Sequence, residues 1–230
     1  MLGVGLGINS LARSFDAGGN GETGDWPLIL DFENGSYTSA NATYALGDVW
    51  ESDTDWGNGG DLGILVPGTG LVDDGVTTAH SFHFSDTFVE LVQAGPIVVV
   101  DFSVSGNASC GLYCVMYEMV DWSENEIQLT NNPGGAEAGN RIRDNDATTA
   151  DLTGLSNGDH KIAMLFARNR LAISVDGAAV VGLTDPVHST ELWTRFMLEL
   201  RNADGACIVR SATFHDPAEG EAALPTLSTL

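Results

Sequence analysis

The chain has 230 residues, 43% hydrophobic and 18% charged, so it can bury a full core and is not a disordered polyelectrolyte. Its formal net charge of −23, from 32 acidic and 9 basic residues, repels phosphate backbones and argues against nucleic acid as a partner. The sequence contains no run of about 18 apolar residues, so insertion into a membrane is not expected either.

The first 25 residues are predicted to form a flexible N-terminal arm outside a compact domain over residues 26–230. Glycines alternate with apolar residues at the start, which disfavours a helix, and the polar tract over residues 16–25 is typical of a linker. An apolar tip on a flexible tether is typical of a segment that anchors on a partner. The expected anchoring residues are Leu2, Val4, Leu6, Ile8 and Leu11. The segment lacks the basic start and unbroken apolar run of a signal peptide, so it is not expected to be one, and synthesis in the host cytoplasm is expected.

Short strand-like runs follow, separated by turn residues such as Asn34-Gly35 and Pro67-Gly68, at the spacing of an all-β sandwich. The predicted strands outside the segment discussed next are Leu28–Phe32, Ser36–Leu46, Leu62–Val66, Ala79–Phe84, Ile97–Val104, Gly111–Val120, Glu126–Leu129, Gly139–Ile142, Trp193–Leu200 and Ala206–Phe214.

Residues 160–183, HKIAMLFARNRLAISVDGAAVVGL, predict three strands joined by tight turns at Arg168-Asn169 and Asp176-Gly177. Apolar residues alternate in the middle run, and Asp-Gly supplies the positive φ values of a type I′ turn. Near the end of the chain, residues 218–224 predict a short helix that Pro225 stops.

Four segments, in the same order and spacing, resemble the concanavalin A-like and laminin-G-like jelly-roll domains of bacteriophage virion proteins. They are LILDFENGSYT (28–38), IVVVDFSV (97–104), GDHKIAMLFARNRLAISVDGAAV (158–180) and IVRSATFHDPAEGEAAL (208–224). The resemblance implies an all-β fold, an antiparallel jelly-roll β-sandwich preceded by the extended arm.

The same resemblance implies a non-enzymatic virion structural protein: a capsid decoration, head spike or tail component. Its expected partners are other virion proteins, and the expected location is the virion. Because virion sites are symmetric, a homo-oligomer is expected.

Glycan binding is the alternative function, because sugar rings stack on aromatic faces beside polar hydrogen-bonding groups. Trp50, Trp56 and Trp122 lie in or beside predicted loops rich in Asp and Asn, and they are the candidate glycan-binding residues. The ligand would be a host surface polysaccharide. Core-covering tryptophans are the competing interpretation.

Calcium is the only cofactor for which the sequence offers candidate ligands. Asp53, Asp55 and Asp61 lie on a Gly-rich loop and offer hard oxygen ligands. The loop departs from the EF-hand pattern, and ordinary Asp/Asn/Gly turns are the favoured interpretation, so no cofactor is expected.

Catalytic residues are not expected from the sequence. A retaining glycoside hydrolase of this fold needs two carboxylates at alternate positions of a strand, about 5–5.5 Å apart. Glu118 and Asp121 are three residues apart and would lie on opposite faces, which disfavours hydrolysis. His80 and His83 diverge for the same reason, which argues against zinc. The three cysteines, Cys110, Cys114 and Cys207, are expected to be free thiols.

Overall fold

The structure is a computed structural model of the whole chain. It describes residues 26–39, 42–45, 50–52, 64–72, 79–84, 95–105, 111–117, 124–130, 141–144, 148–151, 155–167, 169–184, 195–201 and 207–230. The predicted arm, residues 1–25, lies outside these ranges, so its anchoring role stays a prediction.

Within the described ranges the chain forms seventeen β-strands and only short helical turns. The strands are β1 Leu28–Asp31, β2 Ser36–Ser39, β3 Ala42–Ala45, β4 Trp50–Ser52, β5 Ile64–Val66, β6 Gly70–Val72, β7 Ala79–Phe84, β8 Ile97–Val104, β9 Gly111–Tyr117, β10 Glu124–Thr130, β11 Arg141–Asp144, β12 Thr148–Asp151, β13 Gly158–Ala167, β14 Arg170–Val175, β15 Val181–Thr184, β16 Arg195–Arg201 and β17 Cys207–His215.

The strands make two antiparallel sheets. One has ten strands, in the order β15-β14-β13-β8-β17-β1-β2-β3, and the β5–β6 hairpin joins it where β6 pairs with β17. The other has seven strands, in the order β12-β11-β10-β9-β16-β7-β4. Several neighbours, such as β8 and β17, are more than 100 residues apart in the chain. The arrangement confirms the predicted antiparallel β-sandwich.

The core lies between the two sheets. Phe102, Phe166 and Phe214 of the ten-stranded sheet are fully buried, and Leu112 and Leu198 of the seven-stranded sheet belong to the same apolar cluster. The first half of β8 is apolar on both faces, because Ile97 and Val99 pack in a second cluster on the other side of the sheet.

The C-terminal residues cover this second cluster, in a form that differs from the prediction. Two 3₁₀ turns, Pro217–Glu219 and Glu221–Ala223, precede a one-turn helix, α1 Leu224–Leu227. The prediction that Pro225 stops the helix is wrong. Pro225 lies in the first turn of α1, where a missing N–H costs nothing. Gly220, at φ 70°, separates the two 3₁₀ turns.

The predicted three-stranded segment is confirmed as β13, β14 and β15, which pair in sequence. Asp176 at φ 50° and Gly177 at φ 74° form the turn after β14, which is the conformation that Asp-Gly favours. Asp176 also accepts a hydrogen bond from the backbone N–H of Lys161 at 2.9 Å.

Strand boundaries are less well predicted than strand existence. Strands β4, β6 and β12, of three or four residues each, were not expected. The prediction of one strand over Ser36–Leu46 is wrong, since β2 and β3 are two strands that pair with each other. Strand β10 begins at Glu124, two residues before the predicted start. That shift places one more carboxylate in the sheet.

Candidate functional site

The candidate site is the face of the seven-stranded sheet that is turned away from the core. Leu112, Cys114, Ile127, Leu198 and Leu200 are completely buried between the sheets. Since successive residues of a strand alternate between faces, the residues between them occupy the opposite face. We call this the outer face. Its positions include Glu51, Ala79, Ser81, His83, Gly111, Tyr113, Val115, Tyr117, Glu124, Glu126, Gln128, Thr130, Arg141, Arg143, Thr149, Asp151, Arg195, Met197, Glu199 and Arg201.

Strand β9 is the middle strand of the sheet and carries two tyrosines at outer-face positions. Tyr113 is in register with Glu199 of β16 on one side and with Gln128 of β10 on the other. Tyr117 is in register with Arg195 and Glu124. The centre of the outer face therefore combines aromatic and polar residue types on three adjacent strands.

Two carboxylate residues alternate on β10. Glu124 and Glu126 flank Asn125, and the buried Ile127 assigns both to the outer face. Positions two apart on a strand are separated by about 6.8 Å along the chain, on the same face. This is the alternate-position pattern expected above for a glycoside hydrolase of this fold.

Sequence reasoning missed this pair because it began the strand at Glu126 and left Glu124 in a loop. The signal was present in the sequence. In Glu124–Thr130, ENEIQLT, polar residues occupy positions 124, 126, 128 and 130, while Ile127 and Leu129 fall between them. Extending the period of two backwards from Ile127 would have found it. Tyr113 and Tyr117 lie within the predicted strand Gly111–Val120, and they were missed because only tryptophans in or beside loops were proposed as stacking residues.

The predicted glycan-binding tryptophans are not brought together in the described part of the chain. Trp50 begins β4, in register with Phe84 of β7 and next to Glu51, which is an outer-face position. Alternation thus assigns Trp50 to the core-facing side of the sheet. Trp56 and Trp122 lie outside the described residues, so their role stays a prediction.

The predicted calcium ligands Asp53, Asp55 and Asp61 also lie outside the described residues, as do Glu118 and Asp121. Within the described ranges, no group of three or more His, Cys, Asp or Glu residues is placed to hold a metal ion. His80 and His83 both lie in β7, in register with Leu200 and Met197 respectively, and so occupy opposite faces.

The described cysteines are not candidates for nucleophilic chemistry. Cys114 and Cys207 are free and completely buried. Burial raises the pKa of the Cys114 thiol far above its ordinary value, because the thiolate would lose its hydration. The expectation of free thiols is confirmed for these two, and Cys110 lies outside the described residues.

A second polar cluster, on the ten-stranded sheet, joins His160 to Asp176. His160 is buried, with Nδ1 2.7 Å from a carboxylate oxygen of Asp176 and Nε2 2.8 Å from the carbonyl oxygen of Ser156. A histidine–carboxylate pair can activate a neighbouring serine as a nucleophile, but His160 contacts only the backbone carbonyl of Ser156. Nδ1 ties β13 to the Asp176 turn, and Nε2 ties it to the backbone of Ser156 just before the strand, so this cluster is structural.

No helix in the described ranges is both long enough and apolar enough to cross a membrane.

The sequence matches no known protein-family model and no curated protein sequence. Solved structures do resemble it. The apo Crh5 transglycosylase superposes with a TM-score of 0.55 at 14% identity, covering 88% of this chain and 90% of the other. A prokaryotic β-1,3-1,4-glucanase (lichenase) from a mouse hindgut metagenome gives 0.52 at 17% identity, covering 83% and 99%. The β-glucanase of Bacillus licheniformis gives 0.51 at 14% identity, covering 84% and 99%.

These similarities establish the fold as a concanavalin A-like jelly roll, which confirms the fold predicted from sequence. They contradict the prediction that the chain is not an enzyme, because the three solved chains are two glucanases and a transglycosylase. They do not support the virion role. That role, its partners, the homo-oligomer and the location stay predictions.

Proposed function

We propose that this protein binds a polysaccharide along the outer face of the seven-stranded sheet. The observation that carries the proposal is the placement of Tyr113 and Tyr117 on the middle strand, in register with Glu199, Gln128 and Glu124. Sugar rings present apolar faces that stack on aromatic rings, and their hydroxyls need hydrogen-bonding groups nearby. The outer face supplies both residue types at adjacent positions.

The structural similarities support a polymer as the ligand. Two of the similar chains are glucanases, one of them specific by its name for a β-1,3-1,4-glucan, and the third is a transglycosylase. A strand of seven residues spans about 20 Å, so β9 is long enough to contact several consecutive sugar units. A sheet face of this kind suits an extended chain better than a single sugar.

Titration calorimetry with a panel of soluble polysaccharides tests this proposal. Tyr113→Ala removes the ring at the centre of the outer face, and we expect it to weaken binding by about tenfold, or about 1.4 kcal/mol. Tyr113→Phe is the matched control, because it keeps the ring and should bind within about threefold of the unmodified protein. Equal affinities for all three proteins would contradict the proposal.

A second candidate function, cleavage of a glycosidic bond, is favoured by the carboxylate pair on β10. In a retaining mechanism one carboxylic acid protonates the leaving oxygen while the other carboxylate attacks the anomeric carbon, and water then hydrolyses the glycosyl-enzyme. Glu124 and Glu126 occupy alternate positions of one strand, which puts two carboxylate residues on the same face, as a pair acting on one glycosidic bond must be.

Release of reducing ends from the bound polysaccharide tests this second candidate. We expect Glu124→Gln and Glu126→Gln each to lower the rate by about 10²-fold or more while binding persists. Glu33→Gln, in the turn between β1 and β2, is the matched control and should keep the full rate. Binding without any release of reducing ends would leave the binding function and exclude cleavage.

A further inference from the structure

The chain carries far more negative charge than its own cations can neutralise. It has 32 acidic residues against one lysine and eight arginines, and its formal net charge is −23. Even if each lysine and arginine neutralised one carboxylate, 23 carboxylates would remain without a cation. A compact chain of 230 residues has a radius of gyration of about 17 Å, so folding holds these charges close together.

Two arginines of the ten-stranded sheet show how the few cations are used. Arg170 makes two hydrogen bonds of 2.8 Å to the carboxylate of Glu221. Arg210 lies 2.8 Å from a carboxylate oxygen of Asp101 and 3.0 Å from one of Asp159. Each guanidinium group is thus in direct contact with a carboxylate, and these contacts act over a short distance.

Other described carboxylates are held by uncharged donors instead of cations. Asp31 accepts hydrogen bonds from the backbone N–H of Asn34 at 3.0 Å and from its side-chain amide at 2.6 Å. Asp216 accepts one from the backbone N–H of Ala218 at 2.8 Å. A neutral donor orients a carboxylate but leaves its charge in place. These contacts therefore do not reduce the repulsion between the carboxylates.

The range of this repulsion depends on the dissolved salt. The Debye length is about 30 Å at 0.01 M ionic strength, which exceeds the radius of the molecule, and about 3 Å at 1 M. At low salt each carboxylate therefore repels nearly all the others, which favours the unfolded chain because its charges are farther apart. At molar salt this long-range repulsion is screened, whereas groups in direct contact, such as Arg170 and Glu221, still attract each other.

We propose that the fold depends on salt: the protein reaches its full stability only at an ionic strength of about 0.5 M or more, and it works in a saline medium. Dissolved cations screen the carboxylates that the single lysine and the eight arginines leave unneutralised. This dependence follows from the charge of the whole molecule, so it holds whether or not the outer face binds a polysaccharide.

Thermal unfolding of the whole chain at neutral pH, in sodium chloride from about 0.01 M to about 2 M, tests the proposal. We expect the midpoint temperature to rise by about 10 °C or more, with most of the rise below about 0.5 M, where screening is already nearly complete. Sodium sulfate at the same ionic strength should give the same rise, because screening depends on ionic strength and not on the anion.

Two results would overturn the proposal. One is a midpoint temperature that stays constant or falls as sodium chloride is added. The other is a rise that continues in proportion to the salt concentration and is larger in sulfate at equal ionic strength. That pattern is typical of salts that stabilise proteins because they are excluded from the surface, and it does not require any charge repulsion.

A charge reversal in the turn between β1 and β2 gives an independent test. Glu33 lies two residues from Asp31, so Glu33→Lys replaces a repulsion by an attraction. It should raise the midpoint temperature by about 2 °C or more at about 0.01 M salt and lose this advantage at about 2 M. Glu33→Asp is the matched control, because it keeps the charge and should follow the unmodified protein. No gain for Glu33→Lys at low salt, or an equal gain at both concentrations, would contradict the proposal.

Discussion

Single residues fix the geometry of the ten-stranded sheet at places where a side chain does not fit. Gly70 opens β6 at φ 120°, and a Cβ atom there would collide with the backbone carbonyl oxygen of Val209 on β17. Because both atoms belong to paired strands, neither side can move without disturbing the sheet. Glycine is required at this position for two independent reasons, conformation and space.

We therefore expect Gly70→Ala to lower the free energy of unfolding by about 1–3 kcal/mol. Gly68→Ala is the matched control: Gly68 has φ 77°, but a Cβ atom added there would meet no other atom within 4 Å, so only the backbone cost applies. Urea unfolding of both variants gives the comparison. Equal losses for the two variants would contradict the collision with Val209.

The Arg170–Glu221 ion pair makes the free energy of unfolding depend on pH. The hydrogen bonds from Arg170, and then its charge, hold the pKa of the Glu221 carboxyl below its ordinary value. The folded chain therefore releases this proton more readily than the unfolded chain does. It follows that the pair contributes stability above the ordinary glutamate pKa of about 4.3 and loses it as the pH falls through the lower folded-state value.

Glu221→Gln should accordingly be less stable than the unmodified protein near neutral pH, with the difference shrinking as the pH falls below about 4.3. Both groups are partly exposed, so the effect is modest. Urea unfolding between about pH 3 and pH 7 measures it. Two stability curves that stay parallel over this range would show that the ion pair does not contribute.

Among the elements of the fold, the C-terminal segment is the one whose packing is hardest to predict from the sequence. Leu224 is completely buried against Ile97 and Ala163, in the second apolar cluster. Ser228, also fully buried, receives a hydrogen bond from the N–H of Gly177 and lies 2.9 Å from the hydroxyl of Ser174. The segment thus covers the outside of the ten-stranded sheet.

Leu224→Ala should cost about 2–5 kcal/mol of unfolding free energy, the range for a buried leucine that leaves a cavity. Leu230→Ala is the control, because Leu230 is 65% exposed and should change stability by less than about 0.5 kcal/mol. Chemical denaturation followed by tryptophan fluorescence provides both values. A loss below about 1 kcal/mol for Leu224→Ala would mean that the segment is not part of the cooperative core.

The elements that the sequence predicts well are those with strong local signals. In β14, Leu171, Ile173 and Val175 alternate with smaller residues, and Asp176-Gly177 has the chemistry of the turn that follows, so local residues determine this strand and its turn. Strand β4 has three residues and no alternation to detect. The effect of Pro225 was predicted wrongly because the rule against proline holds for helix interiors, whereas a one-turn helix consists of its first turn alone.

At the scale of the whole molecule, the sandwich follows from the pattern of many short strands, but the functional face does not. The centre of the outer face is assembled from β7, β9, β10 and β16, and β10 and β16 both pair with β9 although about 65 residues separate them in the chain. Such a pairing leaves no local mark in the sequence. Tyr113, Glu124 and Arg201 can be recognised as one surface only after the register is known.

Binding of a polysaccharide to the outer face is tested most directly by an NMR titration of the ¹⁵N-labelled protein with oligosaccharides of the bound polymer. We predict shifts of backbone amide signals confined to β7, β9, β10 and β16, largest around Tyr113 and its register partners Glu199 and Gln128. Shifts confined to β8, β13, β14 or the C-terminal segment, or no shifts at saturating ligand, would contradict this placement of the ligand.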